Sequence, residues 1–197
     1  MRGTGQQLGK LTADFAQLAG GAVALAKLGV TAASAGGKVL LGTAEYIASA
    51  RAFAAEAARM PLGFKDASAY IKFSDDLYQG LRSAGYTDAQ AGFQGSSVTG
   101  YRFRPPNELF DVGRVSDFDI AISSPALIQR ATELGIGLRS QGTRTGPLLS
   151  SQADLLGLSD LQTQMSALAG RPVKFMLFES FDAAVVKAPT IPVPKKP

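Results

Sequence analysis

The segment SDFDI at residues 116–120 restricts the fold of this chain more than any other stretch. Asp117 and Asp119 alternate with Phe118 and Ile120, which is the two-residue period of a strand with one polar and one apolar face. On such a strand the two carboxylates project from the same face, about 6.6 Å apart along the chain, while the apolar side chains point into a core. A half-exposed strand with solvated aspartates has the same pattern, so the pair needs neighbours to indicate a site.

The chemistry open to the chain is limited by its residue inventory. It contains no Cys and no His, which excludes disulfides, thiolate nucleophiles, imidazole acid–base catalysis and Cys/His zinc sites. Two carboxylates on one face raise each other's pKa unless a cation accompanies them. Mg²⁺ prefers oxygen ligands and is commonly held by one or two carboxylates and substrate phosphates. A bound Mg²⁺ or Mn²⁺ would relieve this repulsion, which makes Asp117 and Asp119 candidate metal ligands and candidate catalytic residues if neighbouring motifs support a site.

A glycine- and hydroxyl-rich loop, GSSVTG at residues 95–100, precedes the aspartates. Gly95 allows the backbone to approach a ligand closely, and Ser96, Ser97 and Thr99 offer N–H and hydroxyl groups to phosphate oxygens. The same residues would also suit an ordinary turn between a strand and a helix. The loop nevertheless predicts nucleotide binding when it is combined with the aspartates.

Arginine supplies most of the positive charge around these motifs. Residues 92–194 contain nine Lys or Arg and nine Asp or Glu, so the net charge of +4 does not indicate a nucleic-acid surface there. Seven of the nine cations are Arg, whose planar group suits bidentate phosphate contacts. Arg102 and Arg144 are the candidates for nucleotide binding, the latter in a Gly/Thr-rich stretch at 138–148 that could fold over a ligand. An ordinary surface loop with solvated Arg is the alternative.

Apolar periodicity predicts an α/β or α+β unit with a small sheet in the second part of the chain. Tyr70, Phe73, Leu77, Tyr78 and Leu81 form an apolar stripe at three- and four-residue steps. The predicted strands are 92–95, 118–123 and 173–178, and the predicted helices are 66–83, 125–134 and 159–169.

The two ends of the chain differ from this unit in composition. Residues 1–60 are rich in Ala and Gly, and we expect a helical leader with a long helix at 38–59. Residues 18–37 suit a pair of small-residue helices or a weakly hydrophobic membrane-active segment, without a stable membrane span or a classical signal peptide. The Pro-rich end at 189–197 cannot continue a helix or a central strand and is expected to be extended or disordered. The predicted organisation is thus a leader at 1–60, a catalytic domain at 61–188 and a tail at 189–197.

Together, the strand entering Gly95 and Ser96, the later Gly100 and the strand with Asp117 and Asp119 resemble the DNA-polymerase-β-like nucleotidyltransferase superfamily, over roughly residues 64–180. The resemblance implies an α+β fold with a small mixed sheet flanked by helices. In that family the Gly and Ser of the loop grip the triphosphate and the paired aspartates bind metal ions. The implied reaction transfers a nucleotide from an NTP, such as ATP, to a hydroxyl group of an acceptor RNA or protein.

The resemblance also predicts a third carboxylate on a strand that follows a helix and a glycine turn. The segment ALAGRPVKFMLF at 167–178 looks like this unit, but Lys174 holds the position of the acid. Glu179 would supply the carboxylate only if the strand register differed. Lys174 could contact a phosphate or extend from a strand end into solvent. This departure leaves open a second hypothesis, a catalytically inactive nucleotide-binding or interaction module of the same fold.

The layout of an Ala/Gly-rich leader before such a unit resembles the C-terminal toxin modules of bacterial polymorphic toxins. This resemblance implies a secreted or delivered effector that acts in the cytoplasm of a target cell. It also implies a cognate immunity protein as a partner and a delivery chaperone for residues 1–60.

Overall fold

A mixed five-stranded sheet flanked by helices forms the described part of the chain, in agreement with the predicted α+β class. The computed structural model describes residue 55 and residues 59–102 and 108–196, so the predicted leader lies almost entirely outside it. The strands are β1 (Gln90–Gln94), β2 (Phe118–Ser123), β3 (Arg144–Pro147), β4 (Val173–Phe178) and β5 (Ile191–Pro192). The helices are α1 (Ala67–Ser83), α2 (Ser96–Thr99), α3 (Pro125–Glu133), α4 (Ser150–Leu155), α5 (Ser159–Ala169) and α6 (Phe181–Lys187).

The strand order β3-β4-β2-β1-β5 places β2 at the centre of the sheet. β2 runs antiparallel to β1 and parallel to β4. The end of β1, the start of β2 and the start of β4 therefore lie at one end of the sheet. The loop after β1 and the segment that carries the aspartates meet there.

The main core lies between one face of the sheet and the helices. Phe118 and Ile120 of β2 are fully buried on this face, as their alternation with the aspartates predicts. The five residues of the predicted stripe on α1 are buried as well. Phe64, Tyr70, Phe73, Phe93 and Phe118 form an aromatic cluster with ring centroids 5.0 to 6.3 Å apart. Offset and edge-to-face contacts of this kind add to the stabilisation from burial.

The opposite face of the sheet is covered by α6, whose Ala184 packs against Ala121 and Phe178. Ser180 caps this helix, since its hydroxyl accepts a hydrogen bond of 3.1 Å from the Ala183 N–H. Asp119 precedes Ala121 by two residues on this same face. Among the described residues, no helix is both long and apolar enough to cross a membrane.

The predicted elements with strong periodicity agree with the structure. The bounds of β2, β4 and α5 are those expected, and α1 begins after Asp66, which caps it by accepting a hydrogen bond of 2.8 Å from the Ala69 N–H. β1 begins two residues earlier than predicted. The short elements β3, α4 and α6 were not predicted, because four to seven residues are too few to show a periodic apolar pattern.

The Pro-rich end of the chain is part of the sheet. Ile191 and Pro192 pair with Phe93 and Gly92, and the Val193 N–H donates a hydrogen bond of 2.8 Å to the Ala91 carbonyl. The tyrosines of α1 hold the same segment, with the Tyr70 and Tyr78 hydroxyls 3.0 and 3.1 Å from the carbonyls of Pro192 and Val193. The expectation of an extended end is thus confirmed, whereas the alternative of a disordered end is wrong for residues 191–193.

This packing predicts a measurable loss of stability in V193A. Val193 is 2% exposed, so removal of its two methyl groups should lower the free energy of unfolding by roughly 2 kcal/mol in urea titrations. V186A is the matched control, because Val186 is 88% exposed on α6 and the same substitution should change stability by less than about 0.5 kcal/mol. Equal effects of the two substitutions would contradict the packing of the tail.

Candidate functional site

The two aspartates lie at the start of the central strand and are only partly covered. Asp117 directly precedes β2, and its side chain is 22% exposed. Asp119 is the second residue of β2 and is more deeply buried. Since Phe118 and Ile120 fill the core, the carboxylates are left on the other face, where side chains of β1 and β4 are their neighbours.

The register of the sheet brings the glycine loop against Asp119. Gln94 is the partner of Asp119 on β1, so Gly95 follows beside the carboxylate. A Cβ atom on Gly95 would lie 2.5 Å from Asp119 Oδ2, closer than real Cβ contacts allow. Gly95 also has φ +71° and ψ −150°, a conformation that is essentially restricted to glycine. Glycine at this position therefore permits the close approach between the loop and the aspartate.

The hydroxyl groups of the loop divide into two kinds. The buried Ser97 hydroxyl donates to the Gln94 carbonyl at 3.2 Å, and Thr99 Oγ1 lies 3.2 and 2.8 Å from the carbonyls of Gly95 and Tyr101. These two side chains hold the single helical turn of α2 in place. The Ser96 hydroxyl makes no hydrogen bond within the described parts of the chain. Gly95 and Ser96 are therefore the loop residues that remain open to a ligand.

Lys174 lies directly beside the aspartates. It is the register partner of Asp119 on β4, and its ammonium group forms an ion pair with Asp117 Oδ2. The Arg114 guanidinium is 3.7 Å from the other oxygen of Asp117. The carboxylate position expected on this strand is thus occupied by a cation whose partner is the first aspartate.

The two aspartates have opposite electrostatic environments. Burial raises the pKa of Asp117, but the hydrogen bond from Lys174 and the charges of Lys174 and Arg114 outweigh it and hold the pKa below its usual value. For Asp119, burial and the charge of Asp117 raise the pKa to about 6, against a smaller opposing effect of Lys174. The Asp119 carboxylate receives no side-chain hydrogen bond in the part of the chain that the structure describes. Among the described residues, Asp119 is therefore the carboxylate of the pair that has no ion-pair partner.

The two predicted arginines have their partners outside this group. Arg102 follows the loop and forms an ion pair of 2.7 Å with Glu108. Arg144 pairs in register with Phe178 at the far end of β4, about 13 Å along the strand from Lys174, and bonds to Ser140 and the Thr145 carbonyl. Glu179 follows that same end of β4, so the register does not bring it to the aspartates. The structure thus brings together Gly95, Ser96, Asp117, Asp119 and Lys174, and it does not bring Arg144 or Glu179 to them.

Arg171 and Asp111 form an arginine clamp that fixes the chain segment leading to Asp117. The sequence did not reveal this pairing. Arg171 binds both oxygens of Asp111 at 3.0 Å, and its guanidinium lies over the rings of Phe110 and Phe118 at 5.1 and 4.8 Å. Asp111 in turn accepts a hydrogen bond of 2.8 Å from the N–H of Ser116, the residue before Asp117. Since Arg171 and Asp111 are 60 residues apart, only the fold reveals this pairing. One of the seven arginines suited to phosphate is therefore committed to a structural role.

The donor atoms of this group suit one divalent cation that prefers oxygen. Asp119 brings a partly buried carboxylate that has no ion-pair partner among the described residues, and Asp117 lies beside it with one oxygen paired to Lys174. No cluster of three or more Asp, Glu, His or Cys side chains that could hold a metal ion occurs among the described residues. Mg²⁺ does not require such a cluster, since it is often bound by one or two carboxylates, water and substrate phosphates.

The contact between Gly95 and Asp119 predicts a large effect of G95A. We expect this variant to lose at least about 1 kcal/mol more stability than G135A in urea titrations, because Gly135 also has a positive φ, +70°, but open space around its Cα. The excess loss should shrink in the D119A background, where the clashing oxygen is absent. Equal losses in G95A and G135A would contradict the close approach.

The pKa of Asp119 predicts that D119N is more stable than the wild type at neutral pH. Below about pH 4 the carboxyl is protonated in both the folded and the unfolded chain, so the substitution should have little effect. Between about pH 4 and 6 the folded chain keeps the proton that the unfolded chain loses, and wild-type stability falls as pH rises. The gain in D119N should reach a plateau of roughly 1 to 3 kcal/mol above pH 6, measured by urea unfolding with EDTA present.

D117N is the matched contrast, because the pKa of Asp117 is lowered rather than raised. Its contribution to stability is present above the ordinary carboxyl pKa and is lost as pH falls. D117N should therefore destabilise the chain at pH 7 and have little effect at the lowest pH. Shifts of the same sign in both variants at pH 7 would contradict the two environments.

No protein-family model matches the chain, and no curated protein or solved structure is significantly similar to it. Its function is therefore inferred from the residues of the site and their geometry.

Proposed function

We propose that this chain is a metal-dependent nucleotidyltransferase that moves a nucleotide from an NTP to a hydroxyl group of an acceptor RNA or protein. The observation that carries the proposal is the meeting of the glycine loop with the aspartates. The loop after β1 lies against Asp119 on β2, and Asp117 lies two residues earlier, directly before the strand, so one region combines candidate groups for phosphates and for a cation. The resemblance to the DNA-polymerase-β-like superfamily predicts that the glycine loop and the aspartates lie together on a sheet of the nucleotidyltransferase type.

The loop would receive the triphosphate. Gly95 presents backbone without a side chain next to the carboxylate, and the adjacent Ser96 has a hydroxyl group that is not engaged within the described residues. Backbone N–H groups in a turn of this type suit phosphate oxygens. The hydroxyls of Ser97 and Thr99 contribute indirectly, because they stabilise the shape of the turn.

Asp117 and Asp119 would hold Mg²⁺ or Mn²⁺ at the edge of this loop. A divalent ion between phosphates and carboxylates neutralises the charge that develops in phosphoryl transfer. The environment of Asp119 supports such a role, since its burial beside Asp117 disfavours the ionised form in the absence of a further cation. Lys174 and Arg114 add fixed positive charge on the Asp117 side.

The biological setting is the part of the proposal that depends on sequence alone. We propose a bacterial toxin effector, delivered with the help of a chaperone that binds residues 1–60 and neutralised by an immunity protein. The support is the layout of an Ala/Gly-rich leader before the compact unit. Induced expression of the chain in bacteria should then arrest growth, and D119A should relieve the arrest.

A second candidate function is a nucleotide-binding or interaction module without turnover. The observation that favours it is the ion pair between Lys174 and Asp117, because it engages one of the two carboxylates that the reaction would use. Such a module would bind an NTP without forming a product.

Transfer of label from an NTP separates the two candidates. We expect the chain, with Mg²⁺ and a bacterial cell extract, to transfer label from one of the four α-³²P-labelled NTPs to RNA or protein. D117A and D119A should each lower the rate at least about 100-fold, because each removes a carboxylate that would bind the ion. EDTA should abolish the transfer.

D154A is the matched control for this experiment, since Asp154 is an exposed carboxylate on α4. It should retain the wild-type rate. Full transfer by both D117A and D119A would overturn the assignment of the site. NTP binding without product, seen with all four nucleotides, would favour the non-catalytic module.

A further inference from the structure

Lys174 occupies an unusual position for a cation in a site that is proposed to bind metal. It is the second residue of β4, which pairs with the central strand β2, and it is the register partner of Asp119. Its ammonium group nevertheless forms its ion pair with Asp117 rather than with its partner across the strands. The lysine side chain therefore reaches from β4 to the residue before β2 and contributes one positive charge to the aspartate pair.

The charges within this group are incompletely balanced. Two carboxylates and one ammonium leave one net negative charge, and it is concentrated on Asp119, which has no side-chain hydrogen bond within the described residues. Arg114 is a weak further contributor, because it is 3.7 Å from Asp117 and 41% exposed. One divalent ion is sufficient to reverse the remaining charge and attract phosphates. A second would add two further positive charges beside the Lys174 ammonium group and would depend on the triphosphate for compensation, so repulsion from Lys174 disfavours it.

We propose that Lys174 is a tethered cation that neutralises Asp117 in place of a second metal ion, so that the two aspartates hold a single divalent ion next to Asp119. This inference rests on the proposed function for the role of the metal, and it assigns to Lys174 the position where a third carboxylate was expected. The ammonium group holds Asp117 in a fixed orientation through a charge-assisted contact. It also leaves its remaining donors available to a phosphate oxygen.

The number of bound ions tests this inference without a measurement of catalysis. Mn²⁺ titrations of the full chain, followed by electron paramagnetic resonance, give the stoichiometry and affinity with and without a non-hydrolysable ATP analogue. We expect one Mn²⁺ for the wild type and for K174R, which keeps the charge. K174M should bind Mn²⁺ at least about tenfold more tightly, because the repulsion from the ammonium group is lost. K174E should bind two ions in the presence of the analogue.

K187M is the matched control, since Lys187 is an exposed lysine on α6. It should leave Mn²⁺ binding unchanged. Lys174 is 47% exposed, so its substitution is expected to leave the fold intact, which circular dichroism checks. If K174E fails to fold, the comparison of K174M with K174R decides the result by affinity.

Two outcomes overturn the inference. One is a wild type that binds two Mn²⁺ ions with the analogue, and the other is an affinity in K174M equal to that of the wild type. Absence of Mn²⁺ binding in every variant would overturn both the inference and the metal-dependent function. If Mn²⁺ binding changes in the Lys174 variants as expected but no NTP transfer is found, the proposed activity is overturned and the tethered cation is kept. NTP transfer by a wild type that binds two ions would overturn the tethered cation and keep the proposed activity.

Discussion

The two faces of the central strand impose the constraint on which the rest of the structure depends. β2 buries Phe118 and Ile120 in the aromatic core and carries Asp119 on its other face. The strand is hydrogen-bonded to β1 on one side and to β4 on the other. Burial of the aromatic residues provides stabilisation, whereas partial burial of the carboxylate opposes it. Burial of the apolar face therefore offsets the cost of the carboxylate on the other face. A shift of one residue would exchange the two faces, so the register is strongly determined.

Residues around β2 accommodate the two carboxylates on this face of the sheet. Gly95 gives the Asp119 carboxylate room that any side chain would remove, and Lys174 compensates the neighbouring Asp117. The clamp between Arg171 and Asp111 fixes the segment that leads into the strand. These contacts come from the loop after β1, from β4, and from the segments that precede β2 and β4. The position of the aspartates is therefore a property of the whole fold rather than of the motif that contains them.

The sequence predicted those elements whose pattern is local. The alternation in residues 117–120 and the stripe on α1 are set by hydrophobic periodicity, and both are confirmed by burial. β3 and β5 were not predicted, because four and two residues with Pro carry no periodic signal and pair only when β4 and β1 are in place.

Within the site, residue types were easier to predict than their partners. Gly95, Asp117 and Asp119 stand out because glycine and alternating acids have few local alternatives in this context. The different roles of Ser96 and Ser97 depended on which hydroxyl group the turn itself uses. The ion pair of Lys174 depended on the parallel register of two strands whose paired residues are 55 positions apart in the sequence. The position of Arg144 at the far end of the sheet followed from its pairing with β4. None of these is encoded in spacing along the chain.

The short, proline-bearing strands at the two edges of the sheet also determine how another molecule can associate with the described part of the chain. β3 ends at Pro147 and departs from regular pairing, while β5 consists of Ile191 and Pro192. Proline lacks the N–H group that an incoming strand would need, and so short an edge offers little template for one. Growth of the sheet by an added strand, whether from a second copy or from a foreign protein, is therefore disfavoured at both margins. A macromolecule that engages this unit has to recognise its side chains and loops.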